Sequence, residues 1–270
     1  MDARGPASYT PEELLIARLA QAKYDADVET GKEPFCLYIH VPYCAAKCPY
    51  CDFNVRVARR IPEREYTAAL LRELESYARS DDWRSRKLKT VFFGGGTPSM
   101  FSPGSIGRII DKAASLFSFG RDIEISLEAN PDGEDQKHFP GYRACGVNRL
   151  SLGAQSFQPR LLKLLGRLHS ADETRDALRT IRNAGFGNFS LDLIYGIPGQ
   201  SPPDLKADMA EALSFHPPHL SAYNLTIEEK TVFHHQLRTG KISPMAEEEE
   251  IAMAELIEET LSNAGLERYE

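Results

Sequence analysis

From Phe35 onward the chain alternates short, β-branched and aromatic runs with longer stretches whose apolar residues recur at helical spacing. The first run covers residues 35–41, and helical periodicity follows from 62 to about 78. Further strands are predicted at 89–93, 122–127, 148–152, 189–195 and 220–225, each closed by a turn and most followed by a helical stretch, which makes six βα units. Such alternation implies parallel pairing through right-handed crossovers, either curling into a whole or partial barrel or spreading as an open doubly wound sheet.

The faces of the predicted strands choose between these. Tyr38 and His40 share one face of the first strand and Leu37, Ile39 and Val41 the other. Glu124, Ser126 and Glu128 oppose Ile123, Ile125 and Leu127, and Ser190 and Asp192 oppose Leu191 and Leu193. A parallel sheet covered by helices on both sides is apolar on both. A polar set on several strands instead predicts an α/β fold whose sheet curves around a wet, ligand-filled interior, an open barrel.

At the N-terminus, Thr10, Pro11 and Glu13 read as a cap and first turn, continued by Leu14, Leu15, Arg18 and Leu19. At the other end, Glu247 to Glu250 open a helix with Ile251, Ala254, Ile257 and Leu261 on its apolar stripe, Gly265 stops it, and residues 266–270 are expected to begin a further strand. The resulting organisation is a polar, helical extension at 1–34, a partial-barrel core at 35–240, and at 241–270 a helix plus the start of a C-terminal region. Ending at a strand start, that region is read as truncated.

With 42% hydrophobic and 26% charged residues in 270, the chain has an ordinary globular composition. Its net charge of −7 gives no broad footprint for nucleic acid. No apolar run approaches the ~20 residues of a membrane helix, although peripheral membrane contact is left open. The first 34 residues, seven acids against four bases, do not resemble a signal or transit peptide, so a cytoplasmic location is expected.

Five cysteines is an odd number, and Cys44, Cys48 and Cys51 form a CxxxCxxC in the loop leaving the first strand. Three thiolates leave a tetrahedral ion with an open position, or a 4Fe-4S cluster with one free iron. The loop favours the cluster: Pro42 and Pro49 restrict it, and Tyr43, Tyr50 and Phe53 offer apolar cover. A Cys3His zinc site completed by His40, and thiols with no ligand, are the alternatives. Cys36 and Cys145 are expected to be small buried apolar residues, and His234 and His235 to be solvated.

CxxxCxxC after a first strand resembles the signature of radical S-adenosylmethionine (SAM) proteins. The longer string from Tyr38 to Asn54, YIHVPYCAAKCPYCDFN, resembles the oxygen-independent coproporphyrinogen III oxidase-like branch, which includes the HemW-type haem chaperones. Further strings carry the likeness over roughly residues 35–270: FFGGGTP at 92–98, EANP at 128–131, NRLSLGAQSF at 148–157, Gly166-Arg167 and DLIYGIP at 192–198. The resemblance implies a partial (β/α)6 barrel with the cluster at the strand C-terminal ends. It also implies S-adenosyl-L-methionine chelating the free iron, with Cys44, Cys48 and Cys51 as metal ligands. Tyr38, Gly95, Gly96, Thr97, Glu128, Gln155, Arg167 and Asp192 are the implied cofactor-binding residues. Glycines admit a close backbone approach, carboxylates accept from an ammonium or ribose hydroxyls, and a guanidinium fork suits a carboxylate. His40 is read as a supporting residue, and no residue is singled out as catalytic.

In the mechanism the resemblance implies, a reduced cluster cleaves the sulfonium to methionine and a 5'-deoxyadenosyl radical. The oxidases extend the motif to CxxxCxxCxC, whereas Cys51 here is followed by Asp52 and Phe53. That favours the chaperone branch, which implies haem as a further ligand and respiratory haem proteins as recipients. Chaperones of that branch carry a His-Asn and Tyr-Trp string soon after a Tyr-Glu; this sequence reaches Tyr269-Glu270, so the haem ligand is expected beyond residue 270. A porphyrinogen-modifying radical enzyme and a zinc-stabilised binding module are the competing readings, and whether the chain is catalytic stays open at this point.

Overall fold

The computed structural model describes residues 33–84 and 86–270; the helix expected around Thr10 to Leu19 lies outside them. The strands are β1 (Phe35–Val41), β2 (Tyr43–Cys44), β3 (Arg56–Val57), β4 (Lys87–Gly95), β5 (Ser118–Ala129), β6 (Arg149–Gln155), β7 (Asn188–Tyr195) and β8 (His219–Asn224). Six of them form one parallel sheet in the order β1-β4-β5-β6-β7-β8, while β2 and β3 pair separately. The five helices longer than ten residues among the described residues are α1 (Glu63–Ala78), α2 (Pro103–Leu116), α3 (Ala171–Asn183), α4 (Pro202–Ser214) and α5 (Glu247–Asn263). This is the expected partial (β/α)6 barrel, open between β1 and β8.

The apolar face of each strand supplies the core. Ile39, Val41, Val91, Phe93, Ile125, Leu127, Leu150, Leu152 and Leu191 are buried in one cluster with Leu74 of α1, Ile106 and Ile109 of α2, Leu178 and Ile181 of α3, and Met209 of α4. Each such side chain contributes about 1.5–3 kcal/mol on leaving water. The opposite face is polar, as the alternation predicts. In register across it run Glu128, Ser151, Ser190 and His219. Capping boxes start α3 (Ser170 with Glu173) and α4 (Ser201 with Asp204), satisfying amides that the first turn leaves open.

Three expectations are corrected. Cys36 is exposed rather than buried: β1 is an edge strand, and a groove of about 380 Å³ lined by Cys36, Tyr66, Tyr77 and Trp83 lies along it. The buried residues of α5 are Met253 and Ile257, and Ile251 faces solvent, because contact with α4 selects a stripe rotated from the one read in the sequence. Residues 266–270 form no strand. Gly265 (φ +79°) ends α5 as predicted, with Leu266 N donating to Leu261 O at 3.0 Å, after which Tyr269 turns its hydroxyl to His219 Nε2 at 2.6 Å.

Candidate functional site

The cysteine loop is built at the C-terminal end of β1, where Pro42 ends the strand and the chain folds back on itself. Arg56 N donates to Pro42 O (2.6 Å) and Ala58 N to Cys44 O (3.1 Å), so β3 runs beside Cys44. Inside the loop Cys51 N donates to Cys48 O at 3.1 Å. Its far side is buttressed by a distant segment: Phe233 N donates to Pro49 O (2.9 Å), and the Phe233 ring lies 6.3 Å from that of Tyr50. Gly166 faces the same proline so closely that an added Cβ would meet Pro49 Cδ at 2.6 Å.

The turn after β4 comes against this loop. Gly96 N donates to Val41 O and Thr97 N to Tyr43 O, both at 2.8 Å. A Cβ on Gly96 would meet Tyr43 O at 2.6 Å, Pro42 C at 2.9 Å and Cys44 Sγ at 3.0 Å. Glycine is required here by close approach, not by backbone angle. Thr97 Oγ1 donates to Cys44 Sγ at 3.6 Å. Gly95 adopts φ +115°, and an added Cβ would strike the His40 ring at 2.5 Å; its amide donates to Glu128 Oε2 at 3.1 Å.

Arg167 ties the remaining pieces together. Its Nη1 donates to Cys48 Sγ (3.6 Å), and its Nη2 donates to Asn130 Oδ1 (2.5 Å) and Gly153 O (3.1 Å). Asn130 Nδ2 in turn donates to Thr97 Oγ1 at 3.2 Å. Loops after four strands, β1, β4, β5 and β6, are thereby joined around the thiols. Asn130 is the residue the sequence reading passed over. Its signal was present, since it stands two places after Glu128, on the same face, within the EANP string.

Glu128 and Asp192 lie deeper on the polar face. Burial pushes the Glu128 carboxyl up to about 7, against the opposing pull of the Gly95 amide and with a smaller push from Asp192. Burial also raises Asp192, opposed by hydrogen bonds from Ser151 and Ser190, whose hydroxyls lie 2.9 and 3.0 Å from its carboxylate. Burial raises the Cys44 and Cys51 thiols as well, the first opposed by Thr97 and the second by the backbone at Phe53. Any metal loading must therefore displace protons.

Gln155 ends β6 at φ +67°, a region that costs a side-chain-bearing residue of order 1 kcal/mol. The next turn is clamped by buried Asp208, which accepts from Ser156 Oγ (2.6 Å), Phe157 N (2.8 Å) and Gln158 Nε2 (3.0 Å). Tyr38 stands further out, its ring stacked on Phe92 at 6.1 Å and its hydroxyl 3.0 Å from His40 Nδ1. His40 Nε2 is engaged by Asn54 O at 3.0 Å. Both ring nitrogens of His40 are thus taken, and the ring faces Gly95 rather than the thiols. Cys36 on β1 and Cys145 after the short helix Phe139–Ala144 play no part in this loop.

The family model of the Radical SAM superfamily matches residues 38–212. Among curated proteins, the chain is 38% identical over 243 residues to heme chaperone HemW of Haemophilus influenzae, an alignment covering 88% of this chain and 62% of that protein. Against HemW of Mycobacterium tuberculosis it is 36% identical over 260 residues, covering 95% of this chain and 66% of the relative. The chain thus spans roughly three fifths to two thirds of these relatives. Among solved structures, the radical SAM enzyme coproporphyrinogen III oxidase (HemN) of Escherichia coli superposes with a TM-score of 0.77 at 26% identity, over 95% of this chain and 57% of that one. Streptococcus suis SuiB, at a TM-score of 0.56 and 15% identity over 85% of this chain and 48% of that one, shares the fold alone. The sheet order, the cysteine loop at its C-terminal end and the match over residues 38–212 agree: the chain belongs to the radical SAM superfamily.

Proposed function

We propose that Cys44, Cys48 and Cys51 hold a 4Fe-4S cluster whose fourth iron takes S-adenosyl-L-methionine, and that the chain serves haem traffic as a HemW-type haem chaperone. The observation that carries the reading is the Gly96 cradle: a Cβ added to Gly96 would stand 3.0 Å from Cys44 Sγ, while Arg167 Nη1 donates to Cys48 Sγ at 3.6 Å. The donor set fits. Both ring nitrogens of His40 are engaged, by the Tyr38 hydroxyl and by Asn54 O, which speaks against a Cys3His zinc site. Three cysteines on one short loop suit a cube, which binds a thiolate at each of three corners.

The cofactor-side residues fit as well. Among the described residues Arg167 Nε is buried without a partner, and its Nη1 donates to the thiol of Cys48, a place where a guanidinium suits a carboxylate. Glu128, Gln155 and Asp192, with Tyr38 and the backbone of Gly95, Gly96 and Thr97, line the polar face, where ammonium and ribose groups would find acceptors. When bound, the cluster and sulfonium supply one-electron chemistry; the chain's residues hold and orient them. In this reading residues 35–240 are the cofactor-bearing core, and 241–270 begin a further region.

The relatives' name supports haem as the ligand, and Asp52 and Phe53 after Cys51, where the oxidases place another cysteine, favour carrier over oxidase. No described helix is long and apolar enough to cross a membrane. A cytoplasmic protein passing haem to respiratory haem proteins is consistent with that. The test is anaerobic loading with iron and sulfide, followed by haem titration and an assay with coproporphyrinogen III. Expected are a brown, iron- and sulfide-bearing chain, loss of that iron in Cys51→Ala, haem retained by the chain extended past Glu270, and no decarboxylation. Colourless protein refutes the cluster; decarboxylated product, or an extended chain that does not retain haem, refutes the carrier.

A further inference from the structure

Among the described residues three helices open on a side-chain cap followed three places later by an acid. In α3 and α4 that acid folds back on the cap: Ser170 N donates to Glu173 Oε2 at 2.8 Å and Ser201 N to Asp204 Oδ2 at 2.7 Å, and both acids stay partly exposed. The short helix Gly133–Gln136 starts the same way, with Asp132 accepting from Asp135 N at 3.1 Å. Its acid turns elsewhere. Asp135 is 5% exposed, and its Oδ2 accepts from Ser99 Oγ and from Asn130 N, the latter at 3.4 Å. Asn130 N is shared with Ser99 Oγ, also at 3.4 Å. Burial pushes this carboxyl up to about 7, with a further push from Asp132 and against the pull of the Ser99 hydroxyl. A capping box at the surface would carry no such cost.

Both partners of Asp135 belong to the loops around the thiols. Ser99 lies in the single turn Pro98–Met100, two residues after Thr97, whose hydroxyl donates to Cys44 Sγ. Asn130 carries the amide that donates to Thr97 Oγ1 and accepts from Arg167 Nη2. Asp135 touches no thiol itself. It ties together the backbones of two loops whose side chains meet beside the cysteines, and so limits where the Asn130 amide, and through it the Arg167 guanidinium, can lie. A guanidinium fork grips a carboxylate over a narrow range of positions, and a group held by a second layer of hydrogen bonds keeps that range. We propose that Asp135 is a positioning residue for cofactor binding: by holding Ser99 to the Asn130 backbone, it fixes the Thr97–Asn130–Arg167 chain on which the cofactor's carboxylate is to be held. The proposal deepens the reading above and rests on it.

The test compares Asp135→Ala with two other variants. Glu173→Ala removes the corresponding acid from an ordinary capping box, and Asp135→Asn keeps an oxygen for both donors. Melting of the unloaded chains is measured first, then iron and sulfide after anaerobic loading. Affinity for S-adenosyl-L-methionine follows by titration calorimetry, and the electron paramagnetic resonance spectrum of the dithionite-reduced cluster is recorded with and without the cofactor. Both alanine variants are expected to melt below the wild type and to load iron. Asp135→Ala alone should bind the cofactor about tenfold more weakly, with a smaller spectral change on its addition, and Asp135→Asn should restore both readouts. Wild-type affinity in Asp135→Ala, an equal loss in Glu173→Ala, or an Asp135→Asn as weak as the alanine variant overturns the proposal and leaves the cluster reading intact. Should Asp135→Ala fail to fold or to load, Ser99→Ala removes the other half of the same hydrogen bond, and wild-type affinity there overturns the proposal equally. A wild-type chain that loads no iron overturns both.

Discussion

Gly96→Ala puts the cradle to a direct test. The added methyl would lie 2.6 Å from Tyr43 O and 2.9 Å from Pro42 C, both backbone atoms, and 3.0 Å from Cys44 Sγ. The two nearest are backbone atoms and cannot swing aside as a side chain can, so the loop or the β4 turn has to retreat by several tenths of an ångström. The same backbone is held by Gly96 N on Val41 O and Thr97 N on Tyr43 O, and retreat stretches both bonds. Overpacking of this kind costs about 1–3 kcal/mol. For a chain of this size that is a fall in Tm of roughly 2–12 °C. Gly187→Ala is the control, with nothing within 4 Å of the new methyl and an ordinary φ; it should melt at or slightly above the wild-type temperature. Thermal melting of the unloaded chains gives the stability cost, and iron per chain after anaerobic loading gives the loss at the thiols. A Gly96→Ala protein that melts with the wild type and carries full iron would refute the close-approach argument.

Three further outcomes are expected. The Glu128 carboxyl, pushed to about 7, keeps a proton that the unfolded chain releases near 4.5, so its contribution is full below 4.5 and is lost as pH rises through 7, by on the order of 3 kcal/mol. His169, held down to about 4 by burial, works in the opposite direction between 4 and 6.5. The difference in Tm between wild type and Glu128→Gln isolates the first effect and should move in favour of the variant from pH 5 to 8; a constant difference would contradict it. Asn130→Ala removes an acceptor from Arg167 and a donor to Thr97, a loss of about 1.5–3 kcal/mol for a bond to a charged group. It should lower Tm and weaken S-adenosyl-L-methionine binding about tenfold, read by titration calorimetry. Arg167→Lys keeps the charge but cannot reach Cys48, Asn130 and Gly153 together; iron retained after gel filtration should fall, and full retention would show that the fork is not needed.

The strands were legible because each buries one face: Ile39 and Val41, or Ile125 and Leu127, alternate with polar partners that the interior keeps. Their lengths were less so, since β4 and β5 run on at both ends into residues whose pairing is fixed by neighbours. The short helices Phe139–Ala144, Pro159–Leu164 and Val232–Arg238 span too few turns to show a period. Cys36 was misjudged because an edge strand's second face is covered only by what tertiary packing brings to it, and the stripe of α5 was rotated by its contact with α4. In the site, the thiols and the glycine turn could be read from spacing. The joining of Thr97, Asn130 and Arg167 could not, because it depends on the closing of three loops that lie far apart in the chain.

The hydrogen bond from Phe233 to Pro49 spans 184 residues, and this bears on when the thiols can be safely filled. At synthesis rates of about 5–20 residues per second, the cysteines leave the ribosome roughly 10–40 s before their last buttress exists. Over that interval they are carried on an unsupported loop, open to oxidation. Iron and sulfide delivered then would meet a pocket without its walls, so maturation belongs after translation, when all six strands are in hand.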